Sequence, residues 1–286
     1  MTERGTTLTL KALLDLHARR LKLTSGKEAT LRSVATTSRA LLAHFGPDFP
    51  VRSLTVDAWL EYMESRSDLA PASLRLQGST LLAAMRGAEL ETIPRLPLPS
   101  VPTPEPVCLS DEEVARLFHA APRYPRPVIA AGLYLGLRIG ETIALRVRDV
   151  DVASSVVRIK PRPGWSPKSR RARAIPLSRK AREHIEPLCI GRDGAESLFR
   201  SPKTGRAWSA VGLTLALKRT FALAGIDPER AGSHKLRSTF VSRLLIRGVS
   251  VATGSKLCGH ASAAVTLRSY ANAGDEETAR DAVELV

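Results

Sequence analysis

The chain has 286 residues, 43% hydrophobic and 25% charged, a composition suited to globular folding and long enough for two domains of roughly 100 and 180 residues. No apolar run approaches the roughly 18 to 20 residues of a membrane span, and MTERGTTLTLK lacks the basic start and apolar stretch of a signal peptide, so a cytoplasmic location is expected. The net charge of +15 favours an anionic polymer as partner, nucleic acid ahead of an acidic membrane surface, while three cysteines without a CxxC pair give no reason to expect disulfides or structural zinc.

In chain order, helical periodicity runs through residues 9–22, 27–44, 55–64 and 71–90, with FGPDFP and SDLAP among the breaks. An all-helical first domain over residues 1–91 follows. Residues 92–106 carry most of a proline-rich stretch, ETIPRLPLPSVPTPEP, that forbids helix interior and favours an extended, semi-rigid linker. The second domain, residues 107–286, opens with a helix whose start is marked by Ser110 and Glu113, a capping-box pair. A mostly apolar helix over 126–135 and another beginning near Gly140 come next. SSVVRIK and RARAIPL read as two strands joined by the basic hairpin PRPGWSPKSR, and the remaining segments are helical. The fold class is mainly α with a small β-sheet.

Charge is unevenly spread. Residues 1–106 hold 13 Lys+Arg against 11 Asp+Glu, whereas residues 107–286 hold 30 against 17. Residues 152–181 contain no acid, and their KSRRARA stretch suits either a solvated hairpin or contact with a phosphate backbone.

Several segments of the second domain carry residue types suited to a phosphodiester. GLRIGE places Arg138 at a helix start, where it could equally pair with Glu141. HKLR sets His234 and Arg237 three apart on one helical face, and CGH offers His260 after a glycine that permits close backbone approach. Two guanidinium forks can bind non-bridging phosphate oxygens, and histidines can add hydrogen bonds or carry a proton. Tyr270, downstream of both histidines, is the candidate nucleophile; a phenol with a pKa of about 10 needs activation by cations or a base.

Arg138, His234, Arg237, His260 and Tyr270, with GLRIGE, HKLRSTF, LCGH and RAIPL around them, resemble in order and separation the motif set of the tyrosine recombinase, or phage integrase, family. The resemblance spans the chain and implies a helical core-binding (SAM-like) domain followed by a mixed α/β catalytic domain. It also implies a catalytic lysine on a β-hairpin, eight residues before the proline of a VPL-like strand. Counting back from Pro176 gives Lys168, with Lys160 as runner-up. His260 and Tyr270 are ten residues apart where the family has nine, and the extra residue is placed in the loop ASAAV.

The implied reaction is conservative site-specific recombination of double-stranded DNA through a 3′-phosphotyrosyl intermediate, with no cofactor and no metal. Lys168 would be the general acid, and the active species would be a homo-oligomer, a tetramer on two DNA sites. The tail DEETARDAVELV, apolar at Ala279, Ala282, Val283 and Val286, could dock on a neighbouring subunit or be a frayed acidic terminus. A non-catalytic DNA-binding accessory protein and a type IB topoisomerase-like enzyme are the alternatives.

Overall fold

The computed structural model describes residues 8–24, 28–101, 108–227 and 231–259. The chain divides into two compact units, Met1–Thr103 and Pro104–Val286. Among the described residues, no helix is long and apolar enough to cross a membrane.

The first unit holds α1 (Leu10–Thr24), α2 (Glu28–Phe45), α3 (Val56–Ser65) and α4 (Pro71–Gly87). Thr55 caps α3 by accepting from the Ala58 N–H, and Pro71 opens α4, where its missing N–H costs nothing. Leu13, Leu14, Leu41, Trp59, Leu81 and Met85 form the core, and the buried Tyr62 hydroxyl donates to Gln77 Oε1 at 2.7 Å.

Part of the proline-rich segment is packed rather than free. Leu96 is buried in this core, Trp59 Nε1–H donates to the Pro97 carbonyl at 2.8 Å, and Arg75 donates to the Pro99 carbonyl at 3.0 Å. Gly78 makes room for it: a Cβ there would lie 2.4 Å from Leu98. Prolines keep the backbone extended, but the leucines between them supply the apolar surface that fixes it to α3 and α4.

The second unit contains α5 (Asp111–Ala120), α6 (Pro125–Leu135), α7 (Ile139–Ala144), β1 (Val150–Asp151), β2 (Val156–Ile159), β3 (Arg173–Pro176), α8 (Arg179–Ile185), α9 (Ala210–Leu223), α10 (Ser233–Ile246) and α11 (Val251–Cys258). Ser110 and Glu113 form the expected capping box on α5. The sheet is antiparallel in the order β1-β2-β3, with Ile159 opposite Arg173, so residues 160–172 connect β2 to β3. β1 has two residues, too few to register as alternation, and the sequence reading contains two strands accordingly.

The buried α6 runs through the core. It meets α10 closely because Gly132 has no side chain; a Cβ there would sit 2.6 Å from Leu236 Cβ. At its end Gly136 adopts φ 60°, and the Phe240 ring of α10 occupies the place of its absent Cβ. This close helix pair brings the start of α7 to the start of α10.

Candidate active site

Arg138 follows that left-handed turn and is the N-cap of α7; its backbone N–H donates to Glu141 Oε2 at 2.9 Å. His234 and Arg237 lie in the first turns of α10, and Lys168 lies in the β2–β3 connection. These four residues, named from three separate motifs, line one cleft of about 400 Å³ together with Ile139, Glu141, Trp165 and Ser233. Lys160, exposed at the end of β2, is not among the lining residues. His260 and Tyr270, the ASAAV loop and the tail lie outside the described residues.

Three guanidinium groups converge on the C-terminal carbonyls of α11. Arg138 donates to the Cys258 carbonyl at 3.3 Å and the Gly259 carbonyl at 2.9 Å. Arg173 donates to the Leu257 carbonyl at 2.8 Å, and Arg237 donates to the carbonyls of Gly136 and Cys258. A helix C-terminus presents unpaired acceptors and partial negative charge, so cations there satisfy both. The backbone immediately before His260 is thereby tied to the two arginines of the cleft.

Gly259 shows why the motif carries glycine. Its φ is 62°, and a Cβ would lie 2.8 Å from Arg173 Nη1.

Glu141 balances the arginines. It accepts from Arg138 Nη1 at 3.2 Å and from Arg173 at 2.9 and 2.7 Å. Burial pushes its carboxyl up, but the Arg173 hydrogen bonds and the arginine charges outweigh it and hold the group below the usual carboxylate range. The ion pair with Glu141 that the sequence allowed for Arg138 is therefore present, and it leaves Arg138 at the cleft.

Arg237 is buried, which pushes its pKa down to about 10, and it stays charged at neutral pH. His234 keeps solvent contact; partial burial lowers its pKa first, and Arg237, Arg138, Lys168 and Lys235 lower it further. A neutral imidazole among cations can accept a proton or bind an anion that neutralises those cations. The start of α10 adds backbone N–H groups and the positive end of a helix dipole. The cleft is built for an anion with several oxygens. Among the described residues, no three His, Cys, Asp or Glu side chains gather as a metal site.

Arg173 escaped the sequence reading. It shares its strand face with buried Ile175, so an arginine on the inward side of a short strand was the available signal. Trp165 escaped it too, since nothing in PRPGWSPKSR tells which residue of the hairpin turns toward the cleft.

Comparison with known proteins gives a consistent answer. The model of the phage integrase family matches residues 108–277. A tyrosine recombinase XerC of Erythrobacter litoralis is 30% identical over 84% of this chain and 76% of its own. A tyrosine recombinase XerD of Vibrio cholerae is 26% identical over 59% of this chain and 58% of its own. The fold is that of the Tn1549 transposon integrase in complex with a circular intermediate DNA, with a TM-score of 0.80 at 19% identity, over 96% of this chain and 99% of that one. It is also that of a lambda integrase tetramer bound to a Holliday junction, with a TM-score of 0.76 at 20% identity, over 95% and 80% of the two chains.

Proposed function

The chain belongs to the phage integrase family, and from that premise we propose that it is a tyrosine-type site-specific recombinase that breaks and rejoins double-stranded DNA. One observation carries this reading: Arg138, Lys168, His234 and Arg237, drawn from three separate segments, line a single anion-suited cleft.

In the proposed reaction, Tyr270 attacks the scissile phosphorus. Arg138 and Arg237 hold the non-bridging oxygens and stabilise the charge that grows on them. His234 and His260 complete the anion site, and the Lys168 ammonium protonates the departing 5′ oxygen. The 3′-phosphotyrosyl bond retains the free energy of the phosphodiester, so rejoining needs no nucleotide cofactor. Exchange between two duplexes calls for four such sites, hence a tetramer on two DNA sites, with the 275–286 tail as a candidate contact between copies. The DNA substrate implies a cytoplasmic setting. A DNA-binding accessory protein without catalysis and a type IB topoisomerase-like enzyme are not favoured.

The test is a nicked suicide duplex drawn from a pool of sequences flanking the gene, incubated in EDTA with wild type and with Tyr270→Phe. A protease-sensitive, slow-migrating adduct on a denaturing gel is expected from wild type alone. Binding without an adduct from any duplex would overturn catalysis and point to the ten-residue interval between His260 and Tyr270.

A further inference from the structure

The ammonium of Lys168 is exposed, and among the described residues no hydrogen bond or ion pair holds it. Its position is therefore set by its backbone, within a 13-residue connection that the strands fix only at Ile159 and Arg173. A connection of that length, tied at its ends alone, has many conformations, and general-acid catalysis needs one.

The structure shows what narrows the choice. Arg162 Nη1 donates to Asp149 Oδ2 at 2.9 Å, and the side chains are 16% and 4% exposed. Asp149 ends the short 3-10 turn Val147–Asp149, and the same oxygen accepts the Arg146 N–H at 2.9 Å. The anchor is thus part of the domain framework. From Arg162 the restraint passes to Trp165 in two ways: reciprocal backbone hydrogen bonds of 2.9 Å close a turn around Pro163 and Gly164, and the guanidinium lies 5.3 Å from the indole centroid. Trp165 packs against the core and forms the cleft wall together with Ser166, Pro167 and Lys168. Pro167 is buried, and its carbonyl accepts the Arg170 N–H at 2.9 Å. Only Ser166 and Pro167 separate Trp165 from Lys168, so little slack remains.

We propose that Arg162, clamped by Asp149 and stacked on Trp165, is a positioning residue that sets Lys168 against the scissile phosphate. This rests on Lys168 being the general acid. An arginine suits the task because its planar fork can pair with a carboxylate while its flat face lies on an indole, a combined geometry that the compact lysine ammonium reproduces only in part.

The bond changes supply a readout specific to this role. The Tyr270 oxygen bonds to phosphorus as the bond from phosphorus to the 5′ oxygen breaks, and the electron pair leaves on that oxygen, which takes the Lys168 proton. With sulfur in the 5′ bridging position, a thiolate leaves unaided, because a thiol has a pKa of about 8.5. A defect in the acid is then masked, whereas a defect in folding, DNA binding or the nucleophile is not.

The probe is a duplex enriched from a randomised pool by the full-length wild-type chain, synthesised with oxygen or sulfur at the cleaved 5′ position. Single-turnover adduct formation is measured for wild type, Lys168→Ala, Arg162→Ala and Arg162→Lys. Lys168→Ala should lose about 10²- to 10⁴-fold on oxygen and recover on sulfur. Arg162→Ala should lose about 10- to 100-fold on oxygen and stay near the wild-type rate on sulfur, with Arg162→Lys in between. Equal losses on both substrates, no loss on either, or a loss matched by weaker duplex binding would overturn the role of Arg162. Failure of sulfur to recover Lys168→Ala would instead overturn the general-acid assignment and this inference with it.

Discussion

Arg173 and Glu141 meet through two hydrogen bonds of 2.9 and 2.7 Å, with side chains 7% and 2% exposed, directly behind Arg138. The pair has a structural consequence and an electrostatic one. It fixes the carboxylate that orients Arg138, and it supplies the negative charge without which three arginines would converge on α11 unopposed.

Glu141→Gln should therefore destabilise the catalytic unit by about 3 kcal/mol, since a buried guanidinium loses its counter-charge. The sign with pH also follows. The folded-state pKa of Glu141 lies below its unfolded value of about 4.3, so its stabilisation is fully present above that value and is lost as pH falls through the lower folded value. Denaturant unfolding at several acidic pH values should show a stability slope in wild type that shrinks in Glu141→Gln. An unchanged slope would mean that Glu141 is not the group responsible.

How far the sequence could lead depended on whether a feature is local. Ser110 and Glu113 announce α5, Pro71 announces α4, and Gly136 marks the end of α6, because each satisfies or breaks backbone hydrogen bonds within a few residues. Arg138, His234 and Arg237 were legible from spacing and motif resemblance. The Cys258 and Gly259 carbonyls that steady Arg138 were not, since those contacts join residues 120 and 121 positions apart in sequence. The proline-rich segment illustrates the same boundary: its extended backbone is legible from composition, whereas its seat on Trp59 and Gly78 depends on tertiary packing.

The α6–α10 contact sets the separation of Arg138 from Arg237. Gly132→Ala places a Cβ 2.6 Å from Leu236 Cβ, and the helices must shift to admit it. A loss of about 1 to 3 kcal/mol is expected from overpacking, with a fall in adduct formation at temperatures where the variant is still folded. Because the closest clash is with Leu236 Cβ, which alanine keeps, adding Leu236→Ala should restore neither property; recovery of both in that double variant would place the conflict at the leucine's Cγ and Cδ1 instead.

His234 should titrate below the ordinary histidine value of about 6.5, for reasons of partial burial and four neighbouring cations. Between its folded and unfolded pKa the unfolded chain holds more protons, so stability should rise with pH across a window ending near 6.5. His234→Gln should flatten that rise. NMR titration of the ring should show its pKa climbing in Arg138→Gln and on binding inorganic phosphate, because each removes or neutralises positive charge; a phosphate-insensitive His234 would argue against its place in the anion site.

Arg138 and Arg237 should separate in stability while agreeing in activity. Arg237 is 4% exposed and donates to the Gly136 carbonyl at the end of α6, so Arg237→Ala leaves an acceptor unpaired in the interior, at a cost of about 1 to 3 kcal/mol. Arg138 is 23% exposed; of its acceptors, Gly259 is only partly buried and open to water, while the buried Cys258 carbonyl and Glu141 keep Arg237 and Arg173 as donors, so Arg138→Ala should cost less. Each substitution removes a donor to the transition-state oxygens and should lower adduct formation by about 10²- to 10³-fold. Arg237→Lys keeps the charge but offers one shorter-reaching nitrogen where Arg237 sets a separate nitrogen on each carbonyl, so it should recover little of either property. Thermal unfolding beside single-turnover adduct assays checks both: equal stability losses for the two alanine variants would assign Arg138 the same buried structural role as Arg237, and full activity in either would remove that arginine from the site.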